Sequence, residues 1–301
     1  ALVIFSGTVF PIISGAVRGV KISVGPPFFN QVNGPIFLAI TLLIGVCALI
    51  GWRRASIKSL VRHFLWPLLA AIILVIVLFI LGIREWYALV AFPMCGFVLS
   101  SILSEWFRGT RARHRMKAEN YLKAFFSLFG ANKPRYGGYI VHIGIILIAI
   151  GVIGSSFYDV EKQVILKTGD SMTIGNYTLT YRGIDEYQTK SKTVVTASLS
   201  IYNHGRLMGE LVPEKYFHHN YKQAVTEVAI RTILLEDLYV ILVGWDEDGT
   251  AAFKVMVNPL VNWIWVGGAV LVLGGLIAFW PDRCRLPTSK PTKKVMREDE
   301  S

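Results

Sequence analysis

Residues 136–158, YGGYIVHIGIILIAIGVIGSSFY, form an apolar run of membrane-spanning length that carries one ionisable side chain, His142. A helix needs roughly 20 apolar residues to cross a bilayer, and an ionisable group inside such a run marks a functional site by default. Five further apolar runs surround it in the 301-residue chain: Ala1–Val17, Gly34–Trp52, Phe64–Ile83, Tyr87–Glu105 and Leu260–Trp280. Hydrophobic residues make up 53% of the sequence and charged residues only 17%, which departs in both directions from a soluble domain. The composition reads as a polytopic α-helical membrane protein with about six transmembrane helices.

The net charge of +11 raises nucleic acid as a partner, but the basic residues collect in short segments between apolar runs, as the positive-inside rule requires, so no nucleic acid is expected. The richest segments are Arg53–Arg62, Trp106–Arg135 and Pro281–Ser301, and they fall on one side of an alternating six-span path. That side is assigned to the cytoplasm. Within Trp106–Arg135, residues Tyr121–Phe129 are apolar along one side and read as an amphipathic interfacial helix. Pro26-Pro27 in the VGPPFFN stretch is expected to break any helix, Trp66-Pro67 to open the third span and Asn258-Pro259 the last. The expected units are 1–158 (five spans), 159–257 (an inserted extracytoplasmic domain), 258–281 (the last span) and 282–301 (a cytoplasmic charged tail). The chain opens inside an apolar run, with neither an initiator Met nor a charged leader, and reads as the later part of a longer or split protein.

Between the last two spans the period of the pattern changes. Tyr177–Arg182 and Lys192–Tyr202 alternate β-branched or aromatic residues with polar ones, as half-buried strands do. Val164–Lys167, Glu227–Leu235 and Leu238–Trp245 read as further strands, and Asn203-His204-Gly205 and Asp248-Gly249 as hairpin turns. A small antiparallel barrel or sandwich follows.

Cys47 and Cys95 lie in apolar runs and Cys284 in the basic tail, so neither a disulfide framework nor a CxxC metal site is available. Asp246-Glu247-Asp248-Gly249 is only a fragment of a calcium loop, lacking the spaced ligands and the closing glutamate. Of the six histidines, His63 and His114 stand among Arg and Lys, and His204 sits in a turn. His218-His219 point to opposite faces of a strand, a poor arrangement for chelation. His142 differs from these, because its helical face carries Gly138 at i−4, Ile145 and Ile146 at i+3 and i+4, and Ala149 at i+7. Small residues beside a histidine leave a shallow groove in which an imidazole can ligate the iron of a flat macrocycle. The same pattern also suits close helix approach, with His142 hydrogen-bonded across the interface. Met94 is a candidate second axial ligand, and Arg135 and Arg108 at the cytoplasmic end of the helix suit either haem propionates or ordinary positive-inside anchoring.

Four stretches occur in order: VGPPFFN at 24–30, RYGGYIVHIG at 135–144, EVAIR followed by DLYVIL at 227–242, and NPLVNWIWVGG at 258–268. Together they resemble the C-terminal part of the CcmF family, the haem lyase subunits of bacterial cytochrome c maturation. The resemblance implies a bacterial inner-membrane protein that takes part in joining haem to the CxxCH thiols of apocytochrome c. It implies a resident haem b with His142 as one of its two axial ligands and Gly138 beside it, an outside domain at 159–257, and partners among haem chaperones and apocytochrome-handling proteins. The family's tryptophan-rich WWD segment, its two external haem histidines and its other haem b ligand have no counterpart in this sequence, which assigns them to a missing N-terminal half. A reading from another class is a cofactor-free scaffold or assembly subunit of a membrane export or cytochrome assembly complex.

Overall fold

The computed structural model describes residues 2–49, 57–219 and 224–281. Six helices come first: α1 (Leu2–Arg18), α2 (Pro26–Leu49), α3 (Ile57–Ile80), α4 (Trp86–Lys117), α5 (Tyr121–Ala131) and α6 (Lys133–Phe157). Ten strands follow, and α7 (Asn262–Phe279) closes the described chain. Among the described residues four helices are long and apolar enough to cross a membrane, at Pro27–Cys47, Trp86–Lys117, Lys133–Phe157 and Asn262–Phe279, and shorter apolar helices lie at Leu2–Arg18 and Phe64–Ile80. Their outer faces carry large aliphatic side chains, such as Ile73 at 60% and Ile76 at 53% exposure, which only lipid or further protein accommodates. The chain is a helical membrane protein with an inserted β-domain.

Several local expectations give way to the tertiary fold. Pro26 and Pro27 begin α2 instead of breaking it, because the missing N–H of a first-turn proline has no intrahelical partner to lose. Pro67 lies inside α3 rather than at its start. Helix α4 continues past Glu105 to Lys117, 32 residues in all, or about 48 Å at 1.5 Å per residue, well beyond the hydrocarbon thickness. Its basic end projects from the membrane, turns at Ala118 (φ 50°), and is covered by α5. Trp106 meets Phe125 and Phe129 edge-on at 5.6 and 6.0 Å, and Arg113 Nε donates to Glu119 at 3.0 Å. The apolar side of α5 thus packs partly on α4. The side chains of the basic segment 53–62 and of His63 beside it, and the tail from 282, lie outside the described residues.

The strands are β1 (Val160–Leu166), β2 (Ser171–Ile174), β3 (Tyr177–Gln188), β4 (Lys192–Asn203), β5 (Arg206–Leu211), β6 (Glu214–His218), β7 (Ala224–Glu227), β8 (Ala229–Thr232), β9 (Glu236–Trp245) and β10 (Ala251–Pro259). One sheet has the order β1-β10-β9-β8 and the other β2-β3-β4-β6-β7, with β5 on β4, all antiparallel. Between them lies one apolar core that includes Leu179, Leu199, Ile201, Leu242 and Phe253. Tyr181 is fully buried in it and donates its hydroxyl to the Gly249 carbonyl at 3.1 Å, so the phenol costs nothing in unpaired polarity. His204 (φ 47°) and Gly205 (φ 77°) make the two-residue β4–β5 turn that the sequence predicts. The expected strand 227–235 instead divides into β7, β8 and a turn, and β2, β5, β6 and β10 add strands the alternation did not mark. Asn258-Pro259 ends β10 rather than opening the last helix; Leu260 then takes a left-handed φ of 61° before α7 begins.

The chain enters the sandwich through β1 and leaves through β10, and these strands pair with Val160 opposite Val257. Helices α6 and α7 are therefore delivered to the membrane as neighbours. Everything about the placement of His142 follows from how those two helices meet.

Candidate functional site around His142

Helix α6 starts at an asparagine cap: the Asn132 side chain accepts from Arg135 N at 3.2 Å, with Pro134 in the first turn. Its glycines recur every seven residues at 137, 144 and 151, and each faces α7. A Cβ at Gly137 would lie 2.5 Å from Ala278 N, one at Gly144 2.6 Å from Leu271 N, and one at Gly151 2.9 Å from Ile264 N. Partners that descend as α6 ascends make the pair antiparallel. From the other side a Cβ at Gly267 would lie 2.7 Å from Gly144 O and one at Gly274 2.5 Å from Val141 N, so the two backbones pack without intervening side chains. Helices held in this way cannot rotate against one another without clash, which sets the direction in which His142 points.

His142 lies on a different face. A Cβ at Gly138 would meet nothing within 4 Å, so the space one turn before His142 is open. The imidazole is half-buried, and its Nδ1 is buried with no hydrogen-bond partner. The interhelical bond that would have made it an ordinary packed histidine is not formed among the described residues. An unpaired buried polar nitrogen costs about 1–3 kcal/mol, so the chain by itself offers no structural return for keeping it. Ile146, at i+4, is buried and turns toward α4, where a cavity of about 370 Å³ is lined by Cys95, Leu99, Ile146, Ile150 and Tyr158 among others. His142 does not line that cavity. Met94, on α4, is half-buried.

Toward the start of α6 a polar cluster closes the site. Arg135 donates through Nε to Tyr139 Oη at 3.0 Å and through a terminal nitrogen to Glu105 at 2.8 Å. Arg108 pairs with the other oxygen of the same carboxylate. Both arginines that the sequence offered for propionates are thus engaged by Glu105, whose side chain is only 12% exposed. The sequence did not single out Glu105, and only the 30-residue separation closed by α4 and α6 reveals it.

The remaining histidines are brought to no common centre. His114 stacks on Tyr121 at 4.0 Å, His204 is exposed in its turn, and His218 meets Tyr216 edge-on at 5.4 Å. His219 Nε2 lies 3.5 Å from Thr193 Oγ1. Asp248 spends both oxygens on Thr250, and among the described residues no three metal-binding side chains gather. The glycine heptad is present in the sequence as a spacing of seven at 137, 144 and 151, and it marks the α7 contact face, whereas Gly138 marks the open one.

Known proteins with the same pattern are consistent with one another. Residues 157–259 match the family described as the CcmF C-terminal beta-sandwich. Along 98% of its length the chain is 30% identical to the cytochrome c-type biogenesis protein CcmF of Pseudomonas fluorescens, covering 44% of that protein. It is 28% identical to the CcmF protein of Escherichia coli over 94% of this chain and 42% of that one. The solved cytochrome c heme lyase CcmF superposes with a TM-score of 0.68 over 93% of this chain and 43% of its own, at 24% identity, and so shares the fold. The chain spans less than half the length of the relatives it matches. With the CcmF C-terminal beta-sandwich at residues 157–259, between α6 and α7, and the likeness running from end to end, the chain is similar along its length to the C-terminal part of the longer CcmF cytochrome c-type biogenesis proteins.

Proposed function

We propose that this chain is the C-terminal portion of a cytochrome c haem lyase, in which His142 supplies one axial ligand of a haem b in the membrane and the sandwich offers the extracytoplasmic surface for attaching haem to apocytochrome c. The observation that carries the reading is the His142 imidazole itself. Its Nδ1 is buried without a partner, open space lies beside Gly138 one turn away, and the glycine contacts to α7 fix the helix that bears it. The residues present therefore fit the group. A bound haem would supply a one-electron redox centre inside the membrane. This chain's part is to hold the imidazole in one orientation and to leave the Gly138 side unfilled. The second axial ligand and the external haem-binding histidines are assigned to the part of the longer protein that this chain does not span.

The setting follows from the same reading: a bacterial inner membrane, the basic end of α4 and the tail in the cytoplasm, and the sandwich in the periplasm, where haem chaperone and apocytochrome-handling proteins would meet it. The test is the visible spectrum of the protein produced together with its N-terminal half, wild type against His142→Ala. Loss of low-spin b-type bands, with the variant still inserted in the membrane, is the expected result. Unchanged bands would remove the assignment, and intact cytochrome c maturation in that variant would favour the cofactor-free scaffold.

A further inference from the structure

Among the described residues the hairpin turns of this sandwich are polar or glycine-bearing, with one departure. Gly175-Asn176 joins β2 to β3, His204-Gly205 joins β4 to β5, and Asp246–Gly249 leads from β9 into β10, all residue types suited to tight, solvated turns. The β8–β9 turn is Ile233-Leu234-Leu235, three consecutive aliphatic residues with 37%, 55% and 63% of their surface exposed. Its backbone is well formed, since Ile233 N donates to Glu236 O at 3.1 Å and Thr232 stands opposite Asp237. An exposed aliphatic tip on an ordered turn is a contact surface, not a frayed end.

The height of that tip decides what it contacts. Leu235 O accepts from Leu260 N at 2.7 Å. Leu260 in turn sits on α6, where a Cβ at Gly154 would lie 2.8 Å from its side chain. Gly154 is three residues before the end of α6 at Phe157, or about 4.5 Å along the axis at 1.5 Å per residue. The tip is therefore level with the last turn of a membrane-spanning helix, not above it. At the same end Tyr87 stacks on Phe157 at 5.6 Å beside the exposed Trp86, and such aromatic rings mark the boundary between headgroups and acyl chains.

The polar groups around the turn are withdrawn from its point. Glu236 accepts from Tyr177 Oη at 2.7 Å, Arg231 donates to Met208 O at 2.7 Å, and Asp237 is buried. We infer that the β8–β9 hairpin is a membrane finger: Leu234 and Leu235 insert into the interfacial layer of the bilayer beside the start of α7 and hold the sandwich down on the outer leaflet. Its partner is the lipid surface, and the contact requires neither haem nor apocytochrome. With α6 and α7 entering through the adjacent strands β1 and β10, the finger adds a further point of attachment on β8, two strands from β10, and so limits tilting of the sheet about the helix pair.

Depth measurement tests this directly. A single cysteine at Leu234, in the full-length protein with Cys47, Cys95 and Cys284 replaced by alanine, is labelled with an environment-sensitive nitrobenzoxadiazole dye and reconstituted into phosphatidylcholine and phosphatidylglycerol vesicles. Glu247→Cys, beyond the far end of the ten-residue β9 and about 30 Å more distant at 3.3 Å per residue, is the water-facing control. The Leu234 label should emit at shorter wavelength, lose most of its emission to lipids carrying a shallow nitroxide, and resist aqueous iodide, with the reverse at Glu247. Iodide quenching at Leu234 equal to that at Glu247 would overturn the finger. A blue shift without nitroxide quenching would do the same, because it would place the tip against protein.

Discussion

Two faces of α6, one position apart in sequence, use glycine for opposite ends. At Gly137, Gly144 and Gly151 there is no room: a Cβ would fall within 2.5–2.9 Å of the α7 backbone. At Gly138 there is nothing to meet. A glycine within a membrane helix is thus not by itself a sign of helix packing, and the neighbours alone tell a glycine that lets backbones touch from one that leaves a space. The second kind stands one turn before His142, whose buried Nδ1 has no partner.

The same mutation on the two faces should therefore behave differently. Gly144→Ala pushes a methyl group into Leu271 N and Gly267 O, neither of which can yield without moving α7, and should destabilise by about 3 kcal/mol, read as a large fall in melting temperature in detergent. A melting temperature close to wild type would mean that α7 has more freedom than the backbone contacts allow. Next in size is His142→Leu in the haem-free chain, which removes an unpaired buried nitrogen and should stabilise by about 1 kcal/mol. Destabilisation there would reveal a hydrogen bond and return the histidine to a packing role. Gly138→Ala should be the smallest of the three, a gain of about 0.5 kcal/mol from helix propensity with no clash to offset it, while filling part of the space beside His142.

Asp237 extends the comparison into the sandwich, since its Oδ1 is also buried without a partner. Here burial outweighs the hydrogen bonds from Ile233 and Thr232 and raises the carboxyl above the ordinary aspartate range. An acid whose folded pKa is raised binds more protons in the native state. Its favourable effect is complete below the unfolded value and is lost as pH climbs through the folded one. Unfolding of wild type against Asp237→Asn across that range should show the difference narrowing as pH falls. A constant difference would mean that the carboxyl is not raised, and so that Oδ1 too has a partner.

Spans were legible from length and apolarity alone because a bilayer leaves few other ways to bury 20 such residues. Hence the membrane class, the inserted β-domain and the family resemblance are all readable in the sequence. Strand boundaries were less so. The alternation in β3 and β4 is clear, but β2 has only four residues and β6 (EKYFH) mixes polar and aromatic residues on both faces, so pairing partners, not pattern, make them strands. The start of α2 departs from the expected break because Pro26-Pro27 is a helix breaker in an interior and a helix starter in a first turn, and local sequence does not say which applies.

By itself the sequence determined that a histidine lies within a membrane helix, that small residues accompany it, and that a β-domain interrupts the last two spans. These depend on composition and period, which each segment carries alone. Only the tertiary structure decided which glycines touch α7, that Arg135 and Arg108 share Glu105, and that the imidazole is left without a partner. The glycine contacts are distances between residues far apart in the chain, set when β1 and β10 pair and bring α6 and α7 side by side, and the Arg135–Glu105 pair ties α6 to α4 across 30 residues.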